Sequence, residues 1–140
     1  MQTDPACIFC KIIAEEIPCF KLWEDDATLS FMDINPGNDG HALVIAKEHA
    51  QNLFEISPTA LAAVVLTVQR VGTAIQQALA PDGLSIMQAN GPGAAQSILH
   101  FHMHVLPRVQ GDELKFNGPF KPGDMSAIAT LAERIKSHLV

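Results

Sequence analysis

Residues 100–106 read His-Phe-His-Met-His-Val-Leu, three histidines at every second position with apolar residues between them. A strand turns successive side chains to opposite faces, so one face would carry His100, His102 and His104 and the other Phe101, Met103 and Val105. On a helix the same spacing would scatter the imidazoles around the cylinder. A row of imidazoles can bind a metal, supply a nucleophile and general acids, or titrate near neutral pH. The plain alternative is the polar outer face of an ordinary strand. Strict alternation directly after a glycine-bearing stretch argues against that alternative.

Other residues offer chemistry of their own. A neutral imidazole attacks phosphorus well near pH 7 without needing a strong base. The stretch Asn90-Gly91-Pro92-Gly93-Ala94-Ala95-Gln96-Ser97 places small residues just before the histidines. Glycines let backbone amides approach an anion closely, and Gln96 and Ser97 add side-chain donors. Asp33 lies in Phe31-Met32-Asp33-Ile34-Asn35, where its carboxylate suits a vicinal diol or a cap on the following turn. Cys7 and Cys10 form a C-x-x-C pair, which fits metal or redox chemistry. A closed zinc site needs two further ligands, and the chain holds six histidines: His41, His49, His100, His102, His104 and His138. His138 lies in the tail, where solvation is expected. The alternative for the cysteines is a pair of free buried thiols.

These side chains need elements to hold them. Ile8–Ala14 reads as a short helical turn, ended by Glu16-Ile17-Pro18, because the residue before a proline disfavours helix. Phe20–Trp23 and Thr28–Met32 read as strands flanking Glu24-Asp25-Asp26, a hairpin candidate. Asn35–Gly40 is dense in turn formers, and His41–Ala46 is an apolar strand. Ser57-Pro58 is a helix start with a serine cap and a proline in the first turn. Leu61, Val64, Val65, Val68, Val71 and Ile75 keep helical spacing, and the helix should stop near Ala80. Leu84–Gln88 is the next strand and 100–106 the last. Residues 111–123 look irregular. Ser126–Leu139 reads as a terminal helix with Ile128, Leu131, Ile135 and Leu139 turned inward. Strands, a long helix, strands and a terminal helix give an α+β fold with an antiparallel sheet.

With 140 residues, 48% of them hydrophobic, the chain fits one domain (1–140) with a real core. A net charge of −6 argues against nucleic acid as the main partner, since that needs a basic footprint. No apolar run is expected to reach the ~20 residues that span a bilayer. The first residues lack the basic and apolar regions of a secretory signal, so a cytoplasmic protein without a membrane partner is expected. Three cysteines in such a compartment are poor candidates for disulfides, and Cys19 reads as a small apolar residue.

The alternating row, together with CIFCKI from Cys7, EIP from Glu16, FMDINP from Phe31, GHALVIAKEH from Gly40 and NGPGAAQS from Asn90, resembles the histidine triad (HIT) family of nucleotide hydrolases and transferases. The blocks cover most of the chain from Cys7 to Arg108, and the likeness is greatest to the small bacterial Hint-like branch. The resemblance implies a core over roughly 7–108 with an extension and helix over 109–140, a five-stranded antiparallel sheet, and a homodimer. It implies that His102 is the nucleophile and forms a nucleotidyl-histidine later hydrolysed by water. His104 would donate to a phosphate oxygen. His100, His41 and Ser97 would complete the catalytic group, with Ser97 passing a proton to the leaving group and His41 buttressing the triad. Asp33 would hold the ribose, and Ile8, Phe9, Ile17, Phe31 and Ile34 would wall the base pocket. Asn90 belongs to the nucleotide-binding block with Gln96, and Gln96 and Ser97 would meet the phosphate. Ala95 stands where the family has glycine. Zinc-bearing relatives imply a structural zinc on Cys7, Cys10, His49 and His100. The expected substrate is an AMP-like purine nucleotide, a nucleoside phosphoramidate in the first instance. A dinucleoside polyphosphate hydrolase, a zinc-stabilised nucleotide-binding adaptor and a C-x-x-C redox protein are the competing readings. The last lacks the βαβ context that follows such cysteines.

Overall fold

Five antiparallel strands form one sheet in the order β1-β2-β3-β5-β4 in the computed structural model, which describes residues 1–114 and 120–139. The strands are β1 (Lys21–Glu24), β2 (Thr28–Met32), β3 (Ala42–Ala46), β4 (Gly83–Met87) and β5 (His102–Arg108). The helices are α1 (Ile8–Ile13), α2 (Pro58–Leu79) and α3 (Met125–Lys136). The five-stranded antiparallel α+β expectation holds, with element bounds displaced by at most three residues.

Alternation along the central strands builds two different faces. Ala42, Val44, Ala46, Phe101 and Val105 share a core with Ala60, Val64, Val68, Val71 and Ile75 of α2. On the other face Leu29, Phe31, Leu43 and Ile45 pack with Phe9 of α1. The hydroxyls of Thr28 and Thr67 bond each other at 2.8 Å, so the polar group buried under α2 is satisfied. β3 pairs with β5 so that His104 lies beside Leu43 and His102 beside Ile45. Both imidazoles therefore lie on the face away from α2.

Local chemistry sets the element ends. Ser57 Oγ accepts from the Ala60 N–H at 3.2 Å, Pro58 opens α2, and Ala80 closes it in a left-handed conformation at φ 45°. Asp25 Oδ1 accepts from the backbone N–H groups of Ala27 and Thr28, which forms the β1–β2 turn. Gly40, at φ +90°, leads into β3 with Leu79 and Pro107 packed so close that a side chain there would collide.

Two expectations need correction. Pro58–Leu79 is, by length and composition, apolar enough to cross a membrane. Its single charged residue, Arg70, does not interrupt the run. Here the helix packs one stripe against β2, β3 and β5 as a core helix. The terminal helix does not turn its apolar residues inward: Ile128 is 50% exposed, Leu131 51%, Ile135 64% and Leu139 73%. Helical periodicity reports an apolar stripe but not what covers it, and no described element of the same chain packs closely enough to bury this one. Residues 109–114 and 120–124 are irregular as expected, while 115–119 lie outside the described residues.

Candidate active site and metal centre

On the sheet face away from α2 a cavity of about 460 Å³ opens, lined by α1, the 33–41 loop, β2, β3 and β5. His102, His104, His41, Asp33, Ser97, Ile8, Phe9, Ile17, Phe31 and Ile34 all line it. The sequence reading did not include Leu43, Ile98, Met32 and Cys19, which also line it. The β3 alternation was the available signal for Leu43, because a residue paired with His104 must share its face.

Backbone partners fix the protons on these rings. His102 Nδ1 lies 2.6 Å from the His100 carbonyl oxygen, which can only accept. The proton is therefore on Nδ1, and Nε2 carries the lone pair. His104 has the opposite arrangement. The Gly37 N–H donates to His41 Nδ1 at 3.0 Å, so neutral His41 carries its proton on Nε2. That proton points to His104 Nδ1 at 2.9 Å, which leaves the His104 proton on Nε2. One imidazole thus offers a free lone pair and its neighbour an N–H.

Both rings are neutral at pH 7. Burial lowers the pKa of His102 against the His100 carbonyl, which favours the charged form. Burial, reinforced by His102 and His41 and opposed by Asp33, pushes His104 down to about 4. Burial also lowers His41, with Asp33 opposing. The Phe9 ring stands edge-on to His102 at 5.3 Å and to Phe31 at 5.6 Å, joining the imidazole to the apolar end of the cavity. Asp33 Oδ1 caps the turn at the Asn35 N–H (2.8 Å), as one of its two readings expects, and Oδ2 faces His41 Nε2 at 3.6 Å.

Asn90 and Gln96 lie outside the lining of the cavity. Asn90 Oδ1 accepts from the Leu53 N–H and its Nδ2 donates to Gln88 Oε1, both at 2.8 Å. Gln96 Oε1 accepts from the Gly91 N–H, and Nε2 donates to the carbonyls of Gln51 and Ile98. Their amides are spent shaping the loop that presents Ser97. That loop includes a 3-10 turn, Pro92–Ala94, closed by Ala95 at φ 59°. Alanine occupies the left-handed conformation that favours glycine, at a strain of order 1 kcal/mol.

A second cluster lies behind Phe9. Cys7, Cys10, His49 and His100 bring four ligand atoms within 4.8 Å of one another. Cys10, His49 and His100 are buried and Cys7 is half-buried. Cys7 Sγ lies 3.4 Å from His100 Nδ1, Cys10 Sγ 3.4 Å from His49 Nδ1, and the two Nδ1 atoms 3.1 Å apart. Ligands of one tetrahedral zinc, with bonds of about 2.0–2.3 Å, stand roughly 3.3–3.8 Å apart, so the donors fit in number, type and spacing. Orientation fits as well. His100 Nε2–H donates to the Ala46 carbonyl at 2.6 Å, which leaves the Nδ1 lone pair facing the thiols. Cys7 also caps α1, accepting from the Cys10 N–H. Asp4, absent from the sequence reading, supplies an N–H to Cys10 Sγ at 3.4 Å and a carboxylate oxygen 3.9 Å from His49 Nε2.

A family model described as "HIT domain" matches residues 14–111. The chain is 38% identical over 135 residues to the adenosine 5'-monophosphoramidase hnt1 of Schizosaccharomyces pombe, covering 96% of this chain and 98% of that one. It is 42% identical over 112 residues to the adenylylsulfatase HINT3 of Arabidopsis thaliana, covering 80% of this chain and 56% of that one. Among solved structures, a Zn-bound histidine triad family protein from Mycobacterium smegmatis superposes with a TM-score of 0.74 at 32% identity, covering 95% of this chain and 98% of that one.

Proposed function

The chain belongs to the HIT family, and from that premise we propose that it hydrolyses nucleoside phosphoramidates or related purine nucleotides at the α-phosphate. The observation that carries the reading is the opposed protonation of His102 and His104 in one cavity. His102 Nε2 attacks phosphorus, the P–Nε2 bond forms, and the bond to the leaving group breaks. As charge grows on the ring, the Nδ1–H bond to the His100 carbonyl stabilises it. The His104 Nε2–H donates to a phosphate oxygen in the transition state, where such a donor contributes most. Ser97, exposed at the rim, passes its hydroxyl proton to the departing amine and regains one from the water that attacks next. Water then attacks phosphorus, the P–Nε2 bond breaks, and His102 is restored.

Asp33 holds the ribose hydroxyls, and Phe9, Phe31, Ile17, Ile8 and Ile34 take the base. Cys7, Cys10, His49 and His100 hold a structural zinc. That ion would pin the first residues and α1 against β5. The working form is a homodimer. β4 is an edge strand, and between it and α2 runs a groove of about 470 Å³ with Ile86 45% exposed, a surface suited to a second copy.

Steady-state turnover of an adenosine phosphoramidate beside a diadenosine polyphosphate tests the substrate class. The amine-leaving substrate should give the higher kcat/KM. Preference for the polyphosphate would assign the sister activity, and AMP binding without turnover of either would make the protein a binding module.

A further inference from the structure

Among the described residues two groups of potential metal ligands converge, and only one has been given an ion above. The other is Asp33, His41 and His104, whose ligand atoms also lie within 4.8 Å of one another. His41 Nε2 stands 2.9 Å from His104 Nδ1 and 3.6 Å from Asp33 Oδ2. Adjacent ligands of a first-row divalent ion, bound at about 2.0–2.2 Å, lie roughly 2.9–3.4 Å apart. Two imidazoles and one carboxylate form a donor set that such ions accept while keeping open positions. We propose that Asp33, His41 and His104 form a second, open cation site, in which Zn²⁺ excludes the nucleotide.

The two sites differ in ways the structure makes explicit. Cys7, Cys10, His49 and His100 are a closed set of four with two thiol ligands, and His100 already presents its lone pair. The second set offers three ligands at a cavity of about 460 Å³, so water completes the coordination. It must also be rearranged. A neutral imidazole bound through Nε2 carries its proton on Nδ1, but His41 Nδ1 now accepts from the Gly37 N–H. The His41 proton must move from Nε2 to Nδ1, and the Gly37 N–H must turn to water. The first equivalent of zinc therefore goes to the cysteine site and the second to this one, with lower affinity. Occupancy takes the Asp33 carboxylate from the ribose, so zinc and nucleotide exclude each other, while His104, bound through Nδ1, keeps its Nε2–H. This competition rests on the proposed nucleotide site; the metal binding does not.

The test uses protein carrying one zinc per chain, titrated with zinc chloride alone in equilibrium dialysis, with metal analysis of each compartment. A second equivalent should bind more weakly than the first. Asp33→Asn and His41→Gln should each weaken it at least about tenfold, since even an outer-shell partner is worth that much, while the first equivalent stays bound. Glu133→Gln, on α3 and bonded to Lys136, should leave it unchanged. Saturating adenosine, which has no phosphate to sequester zinc, should weaken it as well. No second equivalent under zinc excess, or a second equivalent indifferent to both ligand variants, overturns the proposal. If the variants abolish the second equivalent but adenosine does not affect it, the exclusion is overturned. A separate measurement of adenosine binding then shows whether the nucleotide reading failed with it. Circular dichroism of each variant separates ligand loss from misfolding.

Discussion

His102 and His104 are two residues apart and carry their protons on opposite nitrogens. The alternating row in the sequence was enough to put both rings on one face. It could not reveal the tautomers, because these are set by the His100 carbonyl and the Gly37 N–H, backbone groups that every sequence possesses. The hydrogen bonds of Asn90 and Gln96 were not legible for a related reason: an amide side chain bonds whatever backbone lies nearby, here that of Leu53, Gly91, Gln51 and Ile98. At this scale the account separates binding from chemistry. In the proposed site Asp33 would meet a ribose that does not change during phosphoryl transfer, so its interaction would be equal in the ground and transition states. Asp33→Ala should raise KM for ribonucleotides about ten- to a hundredfold with kcat nearly unchanged, since a charged hydrogen bond is worth about 1.5–3 kcal/mol. Dideoxy substrates should feel the change less. Ser97→Ala should instead lower kcat, and more for a poor amine leaving group than for an activated one. Steady-state kinetics on the two variants checks both. The reverse pattern would mean the nucleotide lies the other way round in the cavity.

Helix α1 and strand β5 are joined through the cysteine and histidine cluster. Phe9, between Cys7 and Cys10 in sequence, packs on both His100 and His102, so one short helix faces the cysteine–histidine cluster and the cavity together. The C-x-x-C pair was legible because its spacing is itself the signal. Asp4 was not, because an outer partner of a ligand has no fixed spacing from it. Strand and helix types were legible from period and caps, as at Ser57-Pro58. The orientation of α3 was not, since an apolar stripe carries no record of its cover. Replacing one zinc ligand should loosen the junction, because metal binding is coupled to folding. Cys7→Ser should reduce zinc below the one equivalent expected of the native protein and lower Tm by at least about 3 °C, the shift produced by 1 kcal/mol in a domain of this size. Elemental analysis and thermal unfolding read the two effects. An unchanged Tm in metal-free protein would make the cysteines ordinary core residues.

The whole molecule is a sheet covered by α2 on one face and partly by α1 on the other, with strand edges at β1 and β4. The strand order itself was not legible in periodicity. Alternation says which residues share a face, while the order β1-β2-β3-β5-β4 depends on which strand the 22-residue α2 crossover leads into. The groove between α2 and β4 is the proposed dimer contact. A carboxylate there would be desolvated on association, so Ile86→Asp should shift the protein from dimer to monomer, as read by sedimentation equilibrium. A wild-type monomer, or a dimer indifferent to the change, would place the contact elsewhere or remove it.

The central claim is that His102 Nε2 is the atom that attacks phosphorus. The direct measurement is rapid quenching of the enzyme with an adenosine phosphoramidate, followed by mass spectrometry of the intact chain and its peptides. The account predicts an acid-labile adenylyl adduct on His102. It also predicts that His102→Ala lacks the adduct and loses turnover at least about a thousandfold, as removal of a nucleophile does, while still binding AMP. An adduct on another residue, or near-native turnover by His102→Ala, would contradict it.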